Sequence, residues 1–316
     1  MSQNNDYLRA ALAKIAELAN AAANGNDFDP QYSGDDFPGC VVKSLPERLL
    51  VKAAQTARRI NPVNAPVFGA MAAAPGTFDV SDPLQIAVVT SKYWGASPRR
   101  LTVSFMETTP SDLQARIVSH MNAWTNTGCI SFTPTGGTAD VRISRGGGGY
   151  WSYLGTDILH IPTNRQTMNL QGFTMQTPDS EYLRVVRHET GHTLGFPHEH
   201  MRKELVARID PQKAYQWFLA TYNWPKEMVD AQVLTPLDDA TILGTPADQD
   251  SIMCYQLPGK ITKDGNPIRG GTDIDKTDYA FAGKIYPKPT AGHLTQHDDW
   301  TELEDRTVDV LEYARH

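Results

Sequence analysis

The chain has little cysteine, no long apolar stretch and no excess of positive charge. Three cysteines in 316 residues cannot form a disulfide framework, and the odd number leaves at least one thiol unpaired within the chain. No stretch approaches the roughly 18 consecutive apolar residues that a membrane-spanning helix needs. The formal net charge of −7 does not favour nucleic-acid binding, which usually shows as a basic face. We therefore expect neither nucleic acid nor membrane as a partner.

The first 25 residues lack the basic start and continuous apolar run of a signal peptide. We expect export without a signal peptide, or after removal of a leader, rather than retention in the cytoplasm. The few cysteines leave the redox compartment undetermined, and the sequence does not indicate an oligomeric state.

The amino-terminal part of the chain is predicted to be helical. Apolar residues at helical spacing predict a helix over residues 6–24. A second helix is predicted over residues 44–60, because Ser44 and Glu47 have capping-box spacing and Pro46 suits a first turn. Residues 61–83 hold four prolines and many small residues, which indicates a linker or an extended covering segment. Residues 1–84 are thus predicted to form a helical pro-segment or accessory segment.

The pattern changes at residue 85, where alternating apolar residues and turn signals predict strands. Helices are predicted over residues 110–127 and 179–195, the second opened by Asp179 or Ser180 and stopped by Gly195. Mixed strands followed by such a helix indicate an α+β domain, here over residues 85–287. Residues 288–316 form an acidic tail. The predicted strands cover residues 85–94, 99–107, 129–135 and 139–145, and residues 146–155 are predicted to form a glycine-rich turn that leads into another strand.

One segment, "HETGHTLGFPHEH" at 188–200, contains four of the nine histidines. His188 and His192 are four residues apart and lie on one face of a helix, so both imidazoles can bind one ion. Glu189 is placed to act on water rather than to bind the metal. Gly195 can take the left-handed conformation that ends a helix, after which His198 can return as a third ligand. Three protein ligands leave one position open, as in catalytic zinc sites.

The H-E-x-x-H-x-x-G-x-x-H pattern resembles the metzincin zinc peptidases, and "HETGHTLGFPHEHMR" is similar to the astacin family in particular. The segment Ser251-Ile252-Met253-Cys254-Tyr255 resembles the Met-turn of that family, and the resemblance covers roughly residues 85–287. It implies a metzincin-like catalytic domain. Such a domain has a twisted, mostly parallel or mixed sheet, an active-site helix and a mainly irregular carboxyl-terminal subdomain.

The resemblance also assigns roles to residues. His188, His192 and His198 would ligate one catalytic Zn²⁺, and Glu189 would act first as general base and then as general acid. Met253 would form the apolar floor beneath the metal without binding it. Tyr255 would either bind the metal weakly in the resting enzyme or stabilise the oxyanion.

Two residues beside the third histidine have structural roles in the resemblance. His200 would be a hydrogen-bonded side chain behind the site. Glu199 would pair with the new amino terminus after an activating cleavage near Gln85 or Ile86. The alternative is that Glu199 is a local structural carboxylate.

The sequence departs from the family pattern in its cysteines. Family members usually have two disulfides in this domain, whereas Cys129 has no mate after Tyr286 and Cys254 replaces a common histidine. The chain therefore resembles a divergent, bacterial-type member.

Family zymogens block zinc with an aspartate in a motif resembling F-x-G-D, and "FPGC" places Cys40 at that position. A thiolate is an excellent zinc ligand and would displace the catalytic water. In this hypothesis residues 41–84 lie across the cleft. Alternatively, Cys40 is an ordinary thiol and residues 1–84 form a permanent subdomain.

The predicted function is a zinc-dependent endopeptidase that acts on proteins or peptides. The main alternative is a zinc-binding interaction protein without turnover, and Glu189 argues against it because a structural site has no use for a general base. A third possibility, hydrolysis of a non-peptide amide, has no support in the sequence.

Overall fold

The computed structural model describes residues 40–66, 90–237 and 247–289. The predicted helix over 6–24, most of the linker and nearly all of the acidic tail lie outside these ranges. The strands are β1 (Cys40–Lys43), β2 (Arg99–Phe105), β3 (Ile130–Pro134), β4 (Val141–Ser144), β5 (Tyr150–Tyr153) and β6 (Met168–Leu170).

Seven helices, α1 to α7, accompany the strands in the described ranges. Asp179–Glu181, π-helical turns over Tyr182–Val186, and Arg187–Thr193 form one continuous helix, α3. The others are α1 (Glu47–Ile60), α2 (Ser111–Met121), α4 (Lys203–Val206), α5 (Pro211–Tyr222), α6 (Lys226–Val229, continued by π turns over Asp230–Leu234) and α7 (Lys276–Ile285). Short 3₁₀ helices cover Pro62–Asn64, Asn122–Asn126, Gly155–His160, Glu199–Met201 and Gly259–Ile261. None of the described helices has the length and apolar character required to cross a bilayer.

The six strands form one sheet in the order β1-β5-β6-β4-β2-β3. Every neighbouring pair is parallel except β5 and β6, which are antiparallel. The mostly parallel sheet, the site-bearing helix α3 and the region after residue 195, in which helices α4 to α7 are joined by long irregular segments, agree with the predicted α+β fold class.

Two apolar clusters organise the protein. The larger lies between the sheet and helices α2 and α3, and contains the fully buried side chains Leu101, Ile117, Trp124 and Tyr182. The smaller lies in the carboxyl-terminal half and is built mainly from α4, α5, α6 and residues 254–268. Phe218 is one of its buried members, and Cys40 of β1 also belongs to it. Met253 belongs to the larger cluster and Tyr255 to the smaller, so the segment 251–255 lies where the two clusters meet.

The strand predicted over residues 85–94 is wrong for its described part, since residues 90–94 are irregular. Several of their backbone groups bond to side chains, and others bond to backbone groups outside the sheet, such as the N–H of Ser91 to the carbonyl of Asn64. The side-chain Oδ1 of Asn64 accepts a hydrogen bond from the N–H of Tyr93 at 2.9 Å, and its Nδ2 donates one to the Tyr93 carbonyl at 2.8 Å. The N–H of Trp94 bonds to the hydroxyl of Tyr286 at 3.2 Å.

Helix α3 begins at Asp179 as predicted, whereas α1 begins at Glu47 rather than at Ser44, and both have a proline in place of the predicted N-cap side chain. The N-cap of α1 is Pro46, and no side chain caps it, so the capping box of Ser44 and Glu47 does not form. The N-cap of α3 is Pro178, again without a side-chain bond. The residue before a proline is pushed out of the helical region, so each helix can begin only at or after its proline.

The segment that precedes the catalytic region is part of the same folded body. β1 lies beside β5 at the edge of the sheet, with Val41 opposite Trp151. Helix α1 then turns away and packs against Gly155–His160, burying Ala53, Ala54, Thr56 and Ala57. The expectation that residues 41–84 lie across the cleft is therefore wrong for α1, because its small, apolar stripe is buried against the body.

Candidate active site

Two tryptophans hold the ends of the motif-bearing part of α3. The indole Nε1 of Trp124 donates to the carbonyl of Arg187 at 2.9 Å, and that of Trp94 donates to the carbonyl of Thr193 at 2.8 Å. The Thr193 hydroxyl lies 3.1 Å from the hydroxyl of Ser152 on β5. The two indoles thus hold the helix at both ends, and Thr193 joins it to β5 of the sheet.

The chain reverses direction at Gly195, as the sequence predicted. Gly195 has φ +93°, which only glycine adopts readily, and a Cβ there would lie 3.0 Å from the carbonyl oxygen of Lys92. The N–H of Phe196 then bonds to the carbonyl of Gly191 at 2.9 Å. This turn brings His198 back to the face of α3.

The structure brings four potential metal ligands together: Cys40, His188, His192 and His198. One ligand atom from each lies within 4.8 Å of all the others, and all four residues are buried. The Nε2 of His198 lies 3.2 Å from that of His188 and 3.0 Å from that of His192. A tetrahedral zinc ion with Zn–N distances of about 2.0–2.1 Å places its nitrogen ligands roughly 3.3 Å apart. The three imidazoles thus have the spacing that zinc requires.

Hydrogen bonds at the Nδ1 atoms of His188 and His192 set the tautomer of these two imidazoles. The Nδ1 of His188 lies 2.5 Å from the carbonyl of Ile252, and the Nδ1 of His192 lies 2.8 Å from the carbonyl of Phe196. A carbonyl accepts only, so each Nδ1 carries the proton and each Nε2 keeps a free lone pair for a metal. The Nδ1 of His198 is buried and has no partner among the described residues.

Burial also favours the neutral, metal-binding form of these rings. It lowers the pKa of His188 to about 4 and lowers the pKa of both His192 and His198 well below the usual value. Neutral lone pairs 3.0–3.2 Å apart repel one another. A cation between them removes that repulsion, so the donor set fits zinc.

Glu189 is fully buried next to the ligand cluster. Burial raises the pKa of its carboxyl to about 8. Its Oε2 accepts the thiol of Cys40 at 3.1 Å, whereas Oε1 has no partner in the described part of the chain. A cation in the neighbouring cluster would favour the ionised form of this carboxyl, whose unpartnered Oε1 would then be suited to take a proton from a reacting water.

Met253 lies directly beneath α3. A Cβ added at Gly191 would clash with its sulfur, so the glycine of the motif makes room for the methionine. The Met253 carbonyl accepts the N–H of Glu199 at 2.8 Å, which joins the Met-turn to the segment after the third histidine.

Asp278 of α7 anchors the Met-turn, and sequence reasoning did not identify this residue. Its carboxylate accepts the hydroxyl of Ser251 at 2.6 Å and the N–H of Ile252 at 2.9 Å. Because the Ile252 carbonyl bonds to His188, Asp278 orients a predicted ligand through one intervening residue. The three-residue spacing of Asp275 and Asp278 could have indicated a helix start there, since these two residues form the capping box of α7.

Tyr255 is buried among the histidines. Its ring centroid lies 4.2 Å from that of His198, and it stacks on His200 at 4.2 Å with 15° between the planes. Burial raises the pKa of its hydroxyl well above the usual value, and the neighbouring Cys40 and Glu189 raise it further. The hydroxyl therefore keeps its proton beside the metal ligands and remains a hydrogen-bond donor.

Glu199 lies in the turn after His198 and has partners within the described chain. Its Oε1 accepts the N–H of Asp248 at 3.2 Å and lies 3.6 Å from the Nε of Arg202. Burial raises the pKa of Glu199 to about 7, although Arg202 opposes the shift. Residues 85 and 86, near which cleavage is predicted, lie outside the described ranges, so the pairing with a new amino terminus stays a prediction.

A cleft of about 490 Å³ opens beside the ligand cluster. Its lining includes Cys40, Glu189, Tyr150, Arg184 and Arg269. All three cysteines are free thiols, so Cys129 and Cys254 form no bridge with described residues.

The family model of the astacin peptidases matches residues 88–265, more than half of the chain. The chain belongs to the astacin family. This confirms the predicted resemblance, the class of zinc metalloendopeptidase for the domain, and zinc as its cofactor. The roles of individual side chains remain predictions, which the geometry of the site supports.

Similar proteins agree with this assignment. Zinc metalloproteinase nas-27 of Caenorhabditis elegans is 30% identical over 99 residues, which cover 31% of this chain and 21% of that protein. Zinc metalloproteinase nas-38 of the same organism is 27% identical over 109 residues, covering 34% and 14% respectively. The match thus spans about a fifth or less of these relatives. A solved structure of myroilysin is 29% identical, with a TM-score of 0.59, and covers 63% of this chain and 97% of that one.

Proposed function

We propose that the chain is a zinc-dependent endopeptidase made in a latent form, in which Cys40 occupies the fourth ligand position. The single observation that carries this proposal is the convergence of Cys40 with His188, His192 and His198 in one buried cluster. Cys40 lies 148 or more positions from the histidines in sequence, so only the fold brings it there.

The three histidines would hold the ion. A zinc ion in such a site lowers the pKa of water to about 7 and polarises a carbonyl group. Oε1 of Glu189 would take the proton of the attacking water and later return it to the leaving amine. Tyr255, which keeps its hydroxyl proton, would donate a hydrogen bond to the oxyanion as charge develops.

Protein or peptide substrates would bind along the edge of β5. Extended peptides commonly bind by adding a strand to an exposed sheet edge, where main-chain hydrogen bonds supply the affinity. In this structure β1 takes that place, in parallel register with β5 from Cys40 opposite Tyr150 to Lys43 opposite Tyr153. The segment before residue 85 would therefore be a pro-segment that covers both the metal ligands and the substrate edge.

The thiol of Cys40 would lose its proton when it binds zinc. Burial and Glu189 raise the pKa of the thiol well above its usual value, so without a cation it stays protonated. A bound cation reverses this balance, because a coordinating thiol is deprotonated outright. The hydrogen bond that this thiol donates to Glu189 would be lost at the same time.

Removal of the pro-segment would require more than a single cut in the linker. Beyond β1, the segment is held by the buried face of α1 and by Asn64. The Asn64 amide donates to the carbonyls of Ala57 and Tyr93, both at 2.8 Å. A cut after residue 66 leaves these contacts intact, so activation would also need degradation or displacement of residues 40–66.

Three protein samples test the proposal against casein and a quenched fluorescent peptide. The intact wild type should hydrolyse little, and protein processed by a second protease should hydrolyse both substrates. The intact Cys40→Ala variant should have intermediate activity, because the ligand position is freed while β1 still pairs with β5. A chelator should abolish activity and zinc should restore it. A processed protein that holds zinc but cleaves neither substrate would favour the alternative of a binding protein without turnover.

A further inference from the structure

The side chain of Gln232 makes a two-point contact with the main chain of β1. Its Oε1 accepts the N–H of Val42 at 3.2 Å, and its Nε2 donates to the Val42 carbonyl at 3.3 Å. One carboxamide thus satisfies both backbone groups of a residue 190 positions away. A neighbouring strand would make the same pair of bonds.

The strand is consequently bonded along both of its edges. On one side Val42 lies in parallel register opposite Ser152 of β5. On the other side Gln232 projects from the π-helical turns that follow α6. The extended chain in the cleft is therefore held between the sheet and the carboxyl-terminal half of the protein.

The backbone of Gln232 is fixed by residues of the site. Its carbonyl lies 2.9 Å from the Nε2 of His200, and the His200 ring stacks on Tyr255. The adjacent Val233 is fully buried. Only the side-chain torsions of Gln232 remain to be ordered when its carboxamide binds a ligand, because the backbone is already fixed.

We propose that Gln232 binds the main chain of the substrate about two residues from the bond that is cleaved. The inference rests on the proposed function. Val42 is two residues from Cys40, whose sulfur lies among the metal ligands, and the reacting carbonyl of a substrate must come to the same cluster. Once β1 has left, the cleft presents the β5 edge and this carboxamide to the next extended chain.

A carboxamide is suited to this task because it carries both a donor and an acceptor. A rotation by about 180° exchanges the two, so Gln232 can bond a substrate that runs in either direction relative to β5. Both bonds go to backbone groups and therefore do not depend on the substrate's side chains. Gln232 would raise the affinity for any extended peptide that is long enough to reach it.

The test uses protein processed from the full chain and three variants. Gln232→Met keeps the length of the side chain but removes its donor and acceptor, and Gln232→Glu keeps only acceptors. Gln212→Met is the matched control, since Gln212 lies exposed in the first turn of α5. Two peptide pairs carry the same cleavable sequence. Each pair consists of an unmodified peptide and a peptide with one N-methylated backbone amide. In the first pair the methyl group is on the residue two positions before the cleaved bond, and in the second pair it is on the residue two positions after it.

Loss of the two hydrogen bonds should raise KM by roughly 5- to 100-fold in Gln232→Met, with kcat changed by less than about threefold. The KM of Gln232→Glu should lie between that of Gln232→Met and that of the wild type. The KM of Gln212→Met should equal that of the wild type. In one of the two peptide pairs, the wild type should have a higher KM for the N-methylated peptide than for the unmodified one. Gln232→Met should have the same KM for both members of that pair. That loss of effect identifies the bond, because a general structural defect would not remove sensitivity to one N–H group.

Alkylation of Cys40 in the intact chain gives a second readout that does not depend on turnover. If Gln232→Met speeds alkylation but leaves KM and both N-methyl effects unchanged in an active enzyme, Gln232 serves only the pro-segment and the inference is overturned. A wild type that cleaves no peptide after processing would defeat the proposed function, and this inference with it. An active wild type with unaltered variants defeats the inference alone.

Discussion

The sulfur of Cys40 lies 3.1 Å from Oε2 of Glu189, and the two residues are 149 positions apart in the chain. One contact therefore joins the proposed general base to the group that is proposed to block it. Because β1 places Cys40 by main-chain pairing with β5, the proposed inhibition would depend on the strand as much as on the thiol. Full activity would then require both the thiol and the strand to leave the cleft.

The imidazole of His192 is expected to be essential for metal binding. His192→Ala removes one of three converging nitrogens, so elemental analysis after dialysis should show less than about a tenth of one zinc per chain. His120→Ala, which changes a histidine outside the cluster, is the control and should retain its zinc. Full zinc occupancy in His192→Ala would refute the ligand assignment.

Glu189 is expected to act on water and not on the metal. Glu189→Gln preserves the size of the side chain but cannot accept a proton, so processed enzyme should keep its zinc and lose about 10²–10⁴-fold in kcat. Zinc content and peptide hydrolysis measured on the same preparation decide the matter. Retention of activity within a few-fold of wild type would show that another group is the base.

Tyr255 is expected to act in the transition state. Tyr255→Phe removes the hydroxyl and keeps the ring that stacks on His200, so the protein should fold and bind zinc. An oxyanion donor is typically worth about 10²–10³-fold in kcat, with a smaller change in KM. If KM rose and kcat stayed constant, the hydroxyl would be a substrate-binding group instead.

The buried Asp157 is expected to make stability depend on pH. Burial raises its pKa to about 6, although Lys92 lies 3.6 Å away and opposes the shift. The folded protein therefore holds this proton more tightly than the unfolded chain does, and the stabilisation is complete below about pH 4. It is lost as the pH rises to about 6.

Asp157→Asn cannot ionise and removes this dependence. The free energy of unfolding is measured by chemical denaturation at pH 4 and at pH 7. Between these two pH values it should fall by up to about 3 kcal/mol more for the wild type than for the variant. Parallel stability profiles for the two proteins would mean that Asp157 has an ordinary pKa in the folded state.

The sequence was sufficient to predict the local features of the site. The spacing of His188, His192 and His198 and the glycine at 195 specify a helix followed by a reversal, and the structure contains both. Alternating apolar residues predicted the central strands of the sheet. These features depend on neighbours within about ten residues, which is why a pattern reveals them.

Long-range relationships could not be predicted in this way. Nothing in the sequence around Gln232 indicates a contact with Val42, because that bond depends on how α6 packs beside the sheet edge. Asp278 anchors the Met-turn from 26 residues away, and only its capping spacing was visible. The segment 85–94 has the apolar composition of a strand, but the side chain of Asn64 takes the backbone bonds of Tyr93.

The central claim is that Cys40 is the fourth ligand of the zinc ion in the intact chain, and X-ray absorption at the zinc edge tests it most directly. Intact wild type loaded with one zinc should show one sulfur at about 2.3 Å and three nitrogens at about 2.0–2.1 Å. Intact Cys40→Ala should show nitrogen and oxygen neighbours only. A wild-type spectrum without sulfur, identical to that of Cys40→Ala, would contradict the account.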